Sequence, residues 1–248
     1  MNKLILPSLS ETADIWQQTL NWQPTAEQQL LFQQLYELIL QGNQKLNLTT
    51  ITKPDEFWEK HLWDSLRGMG NGEWGVRSTE ALAAIDIGTG GGFPGIPVAL
   101  TMANCTVTLL DSTRKKMVFL EEVVTALGLT NVKTITGRAE EIGQQTQYRE
   151  KYDIAMIRAV ATASVCAEYA LPLLKVGGLA VVYRGTWTPE ETNHLSMALE
   201  QLGGEVQSID EFVTPLSKSV RNCLYLRKVA ATPEKFPRGV GIPTQKPL

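Results

Sequence analysis

The residues with the clearest chemical potential lie in one glycine-rich segment, Ile-Asp-Ile-Gly-Thr-Gly-Gly-Gly-Phe-Pro-Gly at 85–95. An apolar run ends there in a carboxylate, Asp86, and the turn that follows contains Gly88, Gly90, Gly91, Gly92 and Gly95. Glycine has no side chain to hold a ligand away and it tolerates positive φ, so the backbone of such a turn can touch a bound cofactor. Pro94 suits the first turn of a helix. The segment therefore predicts a strand, a ligand-binding turn and a helix.

Two classes of nucleotide cofactor compete for this turn. Gly90-x-Gly92-x-x-Gly95 satisfies the dinucleotide fingerprint, and Asp111 ends the next predicted strand, where an acid holds a ribose hydroxyl. Asp86 favours the other class, because a pyrophosphate gains nothing from a neighbouring carboxylate, whereas a cationic sulfonium tolerates one. The pattern Asp86-x-Gly88-x-Gly90 followed by Asp111 resembles the first two cofactor motifs of Rossmann-like methyltransferases. It indicates S-adenosylmethionine, with a nicotinamide-dependent dehydrogenase as the alternative.

Length and composition are typical of a modest enzyme. A chain of 248 residues can form one large α/β domain, with or without a small appendage. The three cysteines, Cys105, Cys166 and Cys223, lack Cys-x-x-Cys spacing, so neither a disulfide framework nor a zinc site is expected. The two histidines, His61 and His194, give no metal-binding pattern. No signal peptide or membrane-spanning stretch is visible, and we expect a soluble cytoplasmic protein without a metal.

Charge is distributed unevenly along the chain. The 23 basic and 26 acidic residues give a net charge of −3, but residues 216–248 hold seven Lys or Arg and one acid. The rest of the chain therefore has 16 basic and 25 acidic residues. A basic end can follow the phosphates of a nucleic acid, and it can equally be a solvated tail.

Strands and helices alternate after two N-terminal helices. The first helix is predicted over 25–41, with Thr25 as N-cap and Gly42 as stop, and the second around 54–67. Strands are predicted at 83–87, 106–111, 132–136, 153–157, 179–183, 205–213 and 222–229, with helices near 94–103, 113–128, 162–175 and 188–202. Alternation of this kind indicates a mostly parallel sheet covered on both faces.

We therefore predict an α/β fold of the Rossmann-like class I methyltransferase type, with a seven-stranded mostly parallel sheet, an antiparallel edge hairpin and preceding N-terminal helices. Three divisions are expected: an N-terminal helical region at 1–70 packed on the core, an S-adenosylmethionine-binding methyltransferase domain at 71–230, and a basic, Pro-rich tail at 231–248. Beyond Pro233 the tail shows no periodicity, which predicts an extended or disordered segment.

In an open parallel sheet the ligand lies at the carboxyl ends of the strands. Asp111 at that edge can accept hydrogen bonds from both ribose hydroxyls, and Ser112 or Thr113 is predicted to cap the next helix. Ala139 and Glu140 follow the third strand and would lie beside the adenine. The site is therefore expected where the first three strands end.

Three arginines follow predicted strands at the same edge: Arg138, Arg158 and Arg184. Placing like charges around a cationic methyl donor is costly unless an anion arrives, and RNA phosphate is the obvious candidate. Surface ion pairs are the alternative explanation for each of them.

Seven motifs together resemble one family. They are Asn47-Leu48-Thr49, His61-x-x-Asp64-Ser65, Asp86-Ile-Gly-Thr-Gly-Gly-Gly-Phe-Pro-Gly-Ile-Pro, Leu110-Asp111-Ser112, Gly137-Arg138-Ala139-Glu140-Glu141, Arg158-Ala159 and Pro237-Arg238-x-x-Gly241-Ile242-Pro243. From about residue 25 to the C-terminus the chain is similar to the small-subunit ribosomal RNA methyltransferase G family, also called glucose-inhibited division protein B. The resemblance implies methyl transfer from S-adenosylmethionine to N7 of a guanine in the decoding-region loop of 16S ribosomal RNA.

The resemblance also implies roles for individual residues. Cofactor contacts would come from Gly88, Phe93, Asp111, Ser112, Thr113, Ala139, Glu140 and Arg158. Activity or RNA binding would depend on Asn47, Arg138, Arg158 and Arg221. The family often has lysine where this chain has Arg184. The implied partner is 16S ribosomal RNA or the small ribosomal subunit, with no membrane or DNA partner and a monomeric enzyme.

The implied chemistry agrees with the scarcity of histidine. N7 of guanine has a lone pair and no proton to lose, so attack on a sulfonium methyl group needs no general base. Rate must then come from position and electrostatics. His61 and Asp64 are one helical turn apart and are interpreted as structural, tying the N-terminal helices to the sheet. A methyltransferase acting on another RNA, a protein or a small molecule, and a non-enzymatic RNA-binding factor, are the competing hypotheses.

Overall fold

The fold is that of a computed structural model, which describes residues 7–9, 12–70 and 81–248. The predicted start of the methyltransferase domain at residue 71 lies outside these ranges. Among the described residues, no helix combines the length and the apolar character needed to cross a bilayer.

Seven strands form one sheet near the seven predicted positions, although the fifth begins at Leu174 instead of residue 179. They are β1 Leu82–Ile87, β2 Cys105–Asp111, β3 Val132–Thr136, β4 Tyr152–Arg158, β5 Leu174–Arg184, β6 Gly204–Val213 and β7 Val220–Lys228. Their spatial order is β3-β2-β1-β4-β5-β7-β6. The first five strands run parallel, and β7 is antiparallel to both β5 and β6. The predicted fold class, including the antiparallel edge hairpin, is confirmed.

The helices cover both faces of this sheet. They are α1 Ala13–Leu20, α2 Ala26–Leu46, α3 Pro54–Phe57, α4 Asp64–Arg67, α5 Gly95–Thr101, α6 Arg114–Ala126, α7 Ala139–Gln144, α8 Ala163–Ala170, α9 Pro189–Leu202 and α10 Ile242–Gln245. A π-helical stretch, Trp58–Trp63, joins α3 to α4 and makes one continuous helix of the predicted 54–67 segment. The sequence did not predict α1, α7 or α10.

The helix predicted at 162–175 is wrong in length. It ends at Ala170, and β5 already begins at Leu174. Pro172 lies between them and has no N–H to continue a helix.

The central strands show why this sheet is covered on both faces: Ile154 and Met156 of β4 face one apolar cluster, while Ala155 and Ile157 face the other.

The N-terminal helices share a core with one face of the sheet. Thr25 and Gln28 form a reciprocal capping box at the start of α2. Further along α2, Leu35, Tyr36 and Ile39 are fully buried in the apolar cluster that also contains β1, β2 and β4 side chains. These helices therefore cover one face of the sheet and place residues 47–64 at its edge.

The C-terminal segment folds back onto the sheet domain, so the prediction of an extended or disordered tail is wrong. Arg149 donates hydrogen bonds to the carbonyl oxygens of Thr232 and Phe236, each at 2.7 Å, and to that of Gly143 at 3.0 Å. Phe236 is 2% exposed in the second apolar cluster. One guanidinium thus satisfies backbone groups that the tail, lacking a helix or strand there, cannot satisfy itself.

Two buried tyrosines attach the continuous 54–67 helix to the sheet. The Tyr183 hydroxyl of β5 donates to the Ser65 carbonyl at 2.7 Å, and the Tyr225 hydroxyl of β7 donates to the Gly68 carbonyl at 3.0 Å. Burial raises the pKa of both phenols, so both remain donors at neutral pH.

We predict that Tyr225→Phe lowers the free energy of unfolding by about 1–3 kcal/mol, because a buried carbonyl loses its donor. Tyr148→Phe is the matched control: its half-buried ring packs on the second cluster, and its hydroxyl makes no hydrogen bond within the described chain. We expect a change there of less than about 0.5 kcal/mol. Urea unfolding of the two variants measures the difference, and equal losses would contradict the assignment.

Candidate active site

The glycine turn after β1 has the backbone geometry that the sequence predicted. Gly88, Gly90 and Gly92 have φ of 73°, 58° and 93°. A Cβ on Gly88 would lie 2.6 Å from Val160 Cγ2, and one on Gly92 would lie 2.5 Å from Ile96 Cδ1. Positive φ and close packing together require glycine at 88 and 92.

Asp86 holds this turn from beneath. Its Oδ2 accepts hydrogen bonds from Thr89 Oγ1 at 2.6 Å and from the Gly95 N–H at 2.8 Å. The side chain is fully buried, and Oδ1 has no partner among the described residues. Burial raises the pKa of Asp86 from 3.8 to about 6. The carboxylate therefore connects the start of the turn to the first residue of α5.

Asp111 at the end of β2 organises the other side of the turn. Its Oδ2 accepts from the Gly90 N–H at 3.0 Å and its Oδ1 from the Thr113 N–H at 2.8 Å. Thr113 occupies the N-cap position of α6, but its side chain makes no capping bond. The predicted N-cap position of Thr113 is therefore confirmed, but the capping hydrogen bond expected from its side chain is absent.

A cavity of about 250 Å³ lies at the carboxyl ends of β1, β2 and β3. Predicted cofactor residues that line it are Gly88, Asp111, Ser112, Ala139 and Glu140, together with Arg138. Three other predicted cofactor residues, Phe93, Thr113 and Arg158, do not line it. The lining also includes Ile87, Leu110, Val160, Tyr169 and Thr244, which the sequence analysis missed. Only the Gly241-Ile242-Pro243 motif pointed to the region of Thr244.

Glu140 is the buried acid of this cavity. Its Oε1 accepts from the Gly241 N–H at 3.0 Å, from Arg138 Nη2 at 3.1 Å and from the Tyr169 hydroxyl at 3.2 Å. Burial alone would raise the pKa of Glu140, but the hydrogen bonds from Gly241 and Arg138 outweigh it and lower the pKa. Its Oε2 is buried and has no partner among the described residues. An ionised carboxylate with one free oxygen suits a ligand that donates hydrogen bonds.

The residues that line this cavity fit S-adenosylmethionine. The glycine turn allows close approach of backbone, Asp111 and Glu140 offer acceptors, and Ile87 and Leu110 offer apolar surface for a base. Within the described ranges, no group of three or more His, Cys, Asp or Glu side chains is arranged to hold a metal ion.

Arg158 at the end of β4 connects the sheet to the continuous 54–67 helix. Its Nη1 donates to the Lys60 carbonyl at 2.6 Å and to Asp64 Oδ2 at 3.2 Å, and its Nη2 lies 3.2 Å from His61 Nδ1. A guanidinium only donates, so Nδ1 is the acceptor and Nε2 carries the proton. Nε2 lies 2.8 Å from Thr49 Oγ1.

His61 is therefore a neutral link between the loop after α2 and Arg158. Burial, then the charges of Arg158 and Lys60, lower its pKa well below 6.5. Its ring stacks on Phe93 of the glycine turn, with centroids 4.3 Å apart. Phe93 is 5% exposed and lies in the core, where it supports the turn through this stack.

A second cavity, of about 360 Å³, opens beside Arg158. It brings together Lys60, Arg158, Arg184 and Arg221 with the acids Glu59 and Asp64. The two cavities border consecutive residues after β4, since Arg158 and Ala159 line the second and Val160 lines the first. Asn47 lines neither of these cavities; it ends α2 in the left-handed conformation at φ 47°, two residues before Thr49.

The three strand-end arginines do not share one cleft of unpaired charge, as the sequence analysis proposed. Arg138 pairs with Glu140 and Arg158 with Asp64, at 3.1 and 3.2 Å. Arg184 lies 3.6 Å from Glu191. A carboxylate lies close to each of these arginines, so their presence at the strand ends is not by itself evidence for RNA binding.

We predict that the free energy of unfolding carried by Asp86 falls as the pH rises from about 4 to about 6. The folded chain holds this proton more tightly than the unfolded chain, whose Asp has its ordinary pKa of 3.8. Ionisation of the folded form therefore costs up to about 3 kcal/mol. Asp86→Asn cannot titrate, so the stability difference between wild type and variant should change through this window. Urea unfolding from pH 4 to pH 8 measures it, and parallel curves would contradict the burial of an ionisable Asp86.

Comparison with known proteins agrees with this geometry. A family model described as rRNA small subunit methyltransferase G matches residues 28–221. A ribosomal RNA small subunit methyltransferase G of Trichormus variabilis is 66% identical over 241 residues, covering 97% of this chain and 98% of the relative. The enzyme of that name from Trichodesmium erythraeum is 57% identical over 249 residues, covering 100% of this chain and 98% of the relative.

Solved structures support the fold alone. A 16S rRNA (adenine(1408)-N(1))-methyltransferase from Catenulisporales acidiphilia, solved with its cosubstrate SAM, has a TM-score of 0.53 at 16% identity. It covers 64% of this chain and 90% of its own. The antibiotic-resistance methyltransferase Kmr has a TM-score of 0.52 at 12% identity, covering 63% of this chain and 91% of its own. By its sequence match over nearly the full length, the chain belongs to the rRNA small subunit methyltransferase G family.

Proposed function

We propose that this protein transfers a methyl group from S-adenosylmethionine to N7 of a guanine in the decoding-region loop of 16S ribosomal RNA. The observation that carries the proposal is the pair of adjoining cavities at the carboxyl ends of the strands. One offers the acceptors and glycine turn of a nucleoside site, and the other is lined by four cationic side chains. The names of the relatives supply ribosomal RNA as the substrate class.

The first cavity is proposed to hold the cofactor, which when bound supplies an electrophilic methyl group. Asp111 would accept the ribose hydroxyls, and Gly88 and Ser112 would approach through their backbones. Ala139 and Glu140 would border the adenine. Thr113 would act through the N–H that fixes the Asp111 carboxylate at 2.8 Å.

Two residues are proposed to support the cofactor from outside the first cavity. Phe93 packs against His61 beneath the glycine turn. Arg158 lies at the end of β4, two residues before Val160, and lines the second cavity where the cofactor and the RNA base would meet. Its three hydrogen bonds to the 54–67 helix fix it in place.

The second cavity is proposed to take the target guanine and its phosphates. Arg221 and Arg184 can donate to guanine O6 or to phosphate oxygens and leave N7 free. N7 needs no general base, and both ring nitrogens of His61 are already hydrogen-bonded, so the site works by position and electrostatics. As the methyl group arrives, positive charge moves onto the guanine ring. Glu59 and Asp64 line this cavity and would stabilise that charge.

Asn47 is proposed to act through the loop that it begins. Its left-handed backbone turns the chain out of α2 towards Thr49, and Thr49 accepts the hydrogen bond from His61. Asn tolerates this conformation better than a residue with a larger or branched side chain. Its contribution to activity would therefore be the position of Arg158.

A direct test uses S-adenosylmethionine with a labelled methyl group and RNA from a strain that lacks the modification. Intact small subunits and naked 16S RNA serve as parallel substrates, and the labelled nucleotide is then mapped. We expect one N7-methylguanine in the decoding-region loop on at least one substrate. Label on another nucleotide or on a ribosomal protein, or no transfer to either substrate, would contradict the proposal.

Arg221→Ala is predicted to slow methylation about 10- to 100-fold, because an arginine contact to RNA contributes about 1–3 kcal/mol. Cofactor affinity should be unchanged, since Arg221 lines only the second of the two cavities. Arg138→Ala, in contrast, should weaken cofactor binding in addition to slowing methylation, because it removes a hydrogen-bond donor from Glu140.

Arg227→Ala is the matched control for Arg221→Ala. Arg227 lies on the same strand, β7, but at its opposite end, where it donates to Gln207 and to the Gly177 carbonyl. Steady-state methylation and calorimetric cofactor titration compare the three variants. Equal effects of Arg221→Ala and Arg227→Ala would exclude a local role for Arg221.

A further inference from the structure

The C-terminal segment, residues 232–248, runs from the second apolar cluster to the edge of the first cavity. Beyond the bonds from Arg149, Gln144 Nε2 donates to the Pro237 carbonyl at 2.7 Å. A Cβ on Gly143 of α7 would lie 2.8 Å from Pro237 Cγ. The segment is therefore packed closely on the helix that begins with Ala139 and Glu140.

Arg238 fixes the next part of this segment to α8. Its Nη2 and Nε donate to Glu168 Oε2 and Oε1 at 2.6 and 2.9 Å, and its backbone N–H donates to Oε1 at 2.8 Å. Glu168 is fully buried. Without Arg238 a buried carboxylate would lose its paired cation, which strongly disfavours the docked arrangement.

Three residues further on, the segment reaches the cavity itself. Gly241, with φ of 80°, donates its N–H to Glu140 Oε1 at 3.0 Å, and Thr244 lines the cavity. Thr244 Oγ1 donates to the Gly241 carbonyl at 2.9 Å, which closes the turn. The C-terminal segment therefore helps to hold the Glu140 carboxylate, whose other oxygen, Oε2, is buried and has no partner among the described residues.

We propose that the C-terminal segment is a wall of the cofactor site and that Arg238 is a positioning residue for cofactor binding. Arg238 acts through the segment: its pair with Glu168 holds Gly241 against Glu140 and Thr244 at the cavity. This proposal rests on the proposed function, because it assigns the first cavity to the adenosyl cofactor. It also explains part of the basic C-terminus, since Arg238 is committed to a buried partner and not to RNA phosphate.

Calorimetric titration with S-adenosylhomocysteine tests the proposal without any methyl transfer. We expect Arg238→Ala to bind at least about tenfold more weakly than wild type, because the paired charge and the side-chain hydrogen bonds to Glu168 are lost while only the backbone N–H bond remains. Arg238→Lys should recover part of the affinity, since it keeps the charge without the planar fork. Lys246→Ala removes an exposed charge from the same segment and should leave the affinity unchanged. Thermal unfolding of each variant shows whether it is folded.

Thr244→Trp provides a second variant that leaves the Arg238 pair intact. Thr244 is exposed at the rim, so the fold should tolerate the change while the larger side chain enters the cavity and weakens binding. Saturating S-adenosylhomocysteine should also slow trypsin cleavage after Lys235 and Arg238, because a ligand that needs the docked segment stabilises it.

The outcomes separate this proposal from the function on which it rests. Wild-type protein that binds no S-adenosylhomocysteine would overturn both. Wild-type binding together with unchanged affinity in folded Arg238→Ala and Thr244→Trp would overturn the role of the C-terminal segment alone. A rate of trypsin cleavage after Lys235 and Arg238 that saturating S-adenosylhomocysteine leaves unchanged would also overturn the role of the C-terminal segment.

Discussion

A carboxylate that folding removes from water needs hydrogen-bond donors, and at this edge of the sheet backbone N–H groups supply several of them. Asp86 accepts from Gly95, Asp111 from Gly90 and Thr113, Glu140 from Gly241, and Glu168 from Arg238. Each carboxylate lies on a strand or a helix, and most of its partners lie in irregular segments. The acids therefore decide the shape of loops that have little regular structure of their own, and the first cavity is the space between those loops.

The need of these carboxylates for partners also determines where positively charged side chains lie. Arg138, Arg158 and Arg238 each pair with a carboxylate, so these cations around the first cavity are compensated before any ligand arrives. In the second cavity, Arg221 contributes a further cation beside the Arg158–Asp64 pair. His61 stays neutral because burial and two neighbouring cations disfavour its charged form. A cofactor with a positive sulfur and an RNA with negative phosphates can thus occupy adjoining sites without a general base between them.

Local patterns predicted most of the fold and the centre of the site. Apolar runs marked all seven strands, and the glycines at 88 and 92 marked the turn because their backbone conformation is a local property. The helix predicted at 162–175 was too long for a local reason, Pro172, whereas the wrong prediction about the tail depends on distant residues. Arg238 meets Glu168 across 70 residues, and Arg149 meets Phe236 across 87, so no periodicity in the tail could reveal that it is docked. The same reason hid Asp64 as the partner of Arg158, 94 residues away, and the place of Thr244 in the cavity, whereas Glu140 lies only two residues from Arg138.

The central claim is that the turn held by Asp86 and Asp111 accepts an adenosyl sulfonium and not a dinucleotide pyrophosphate. Calorimetric titration of the wild-type protein with S-adenosylmethionine and, separately, with NADH tests it most directly. The account predicts saturable one-to-one binding of S-adenosylmethionine and no saturable heat with NADH. Preferential binding of NADH, or no binding of S-adenosylmethionine by folded protein, would contradict it.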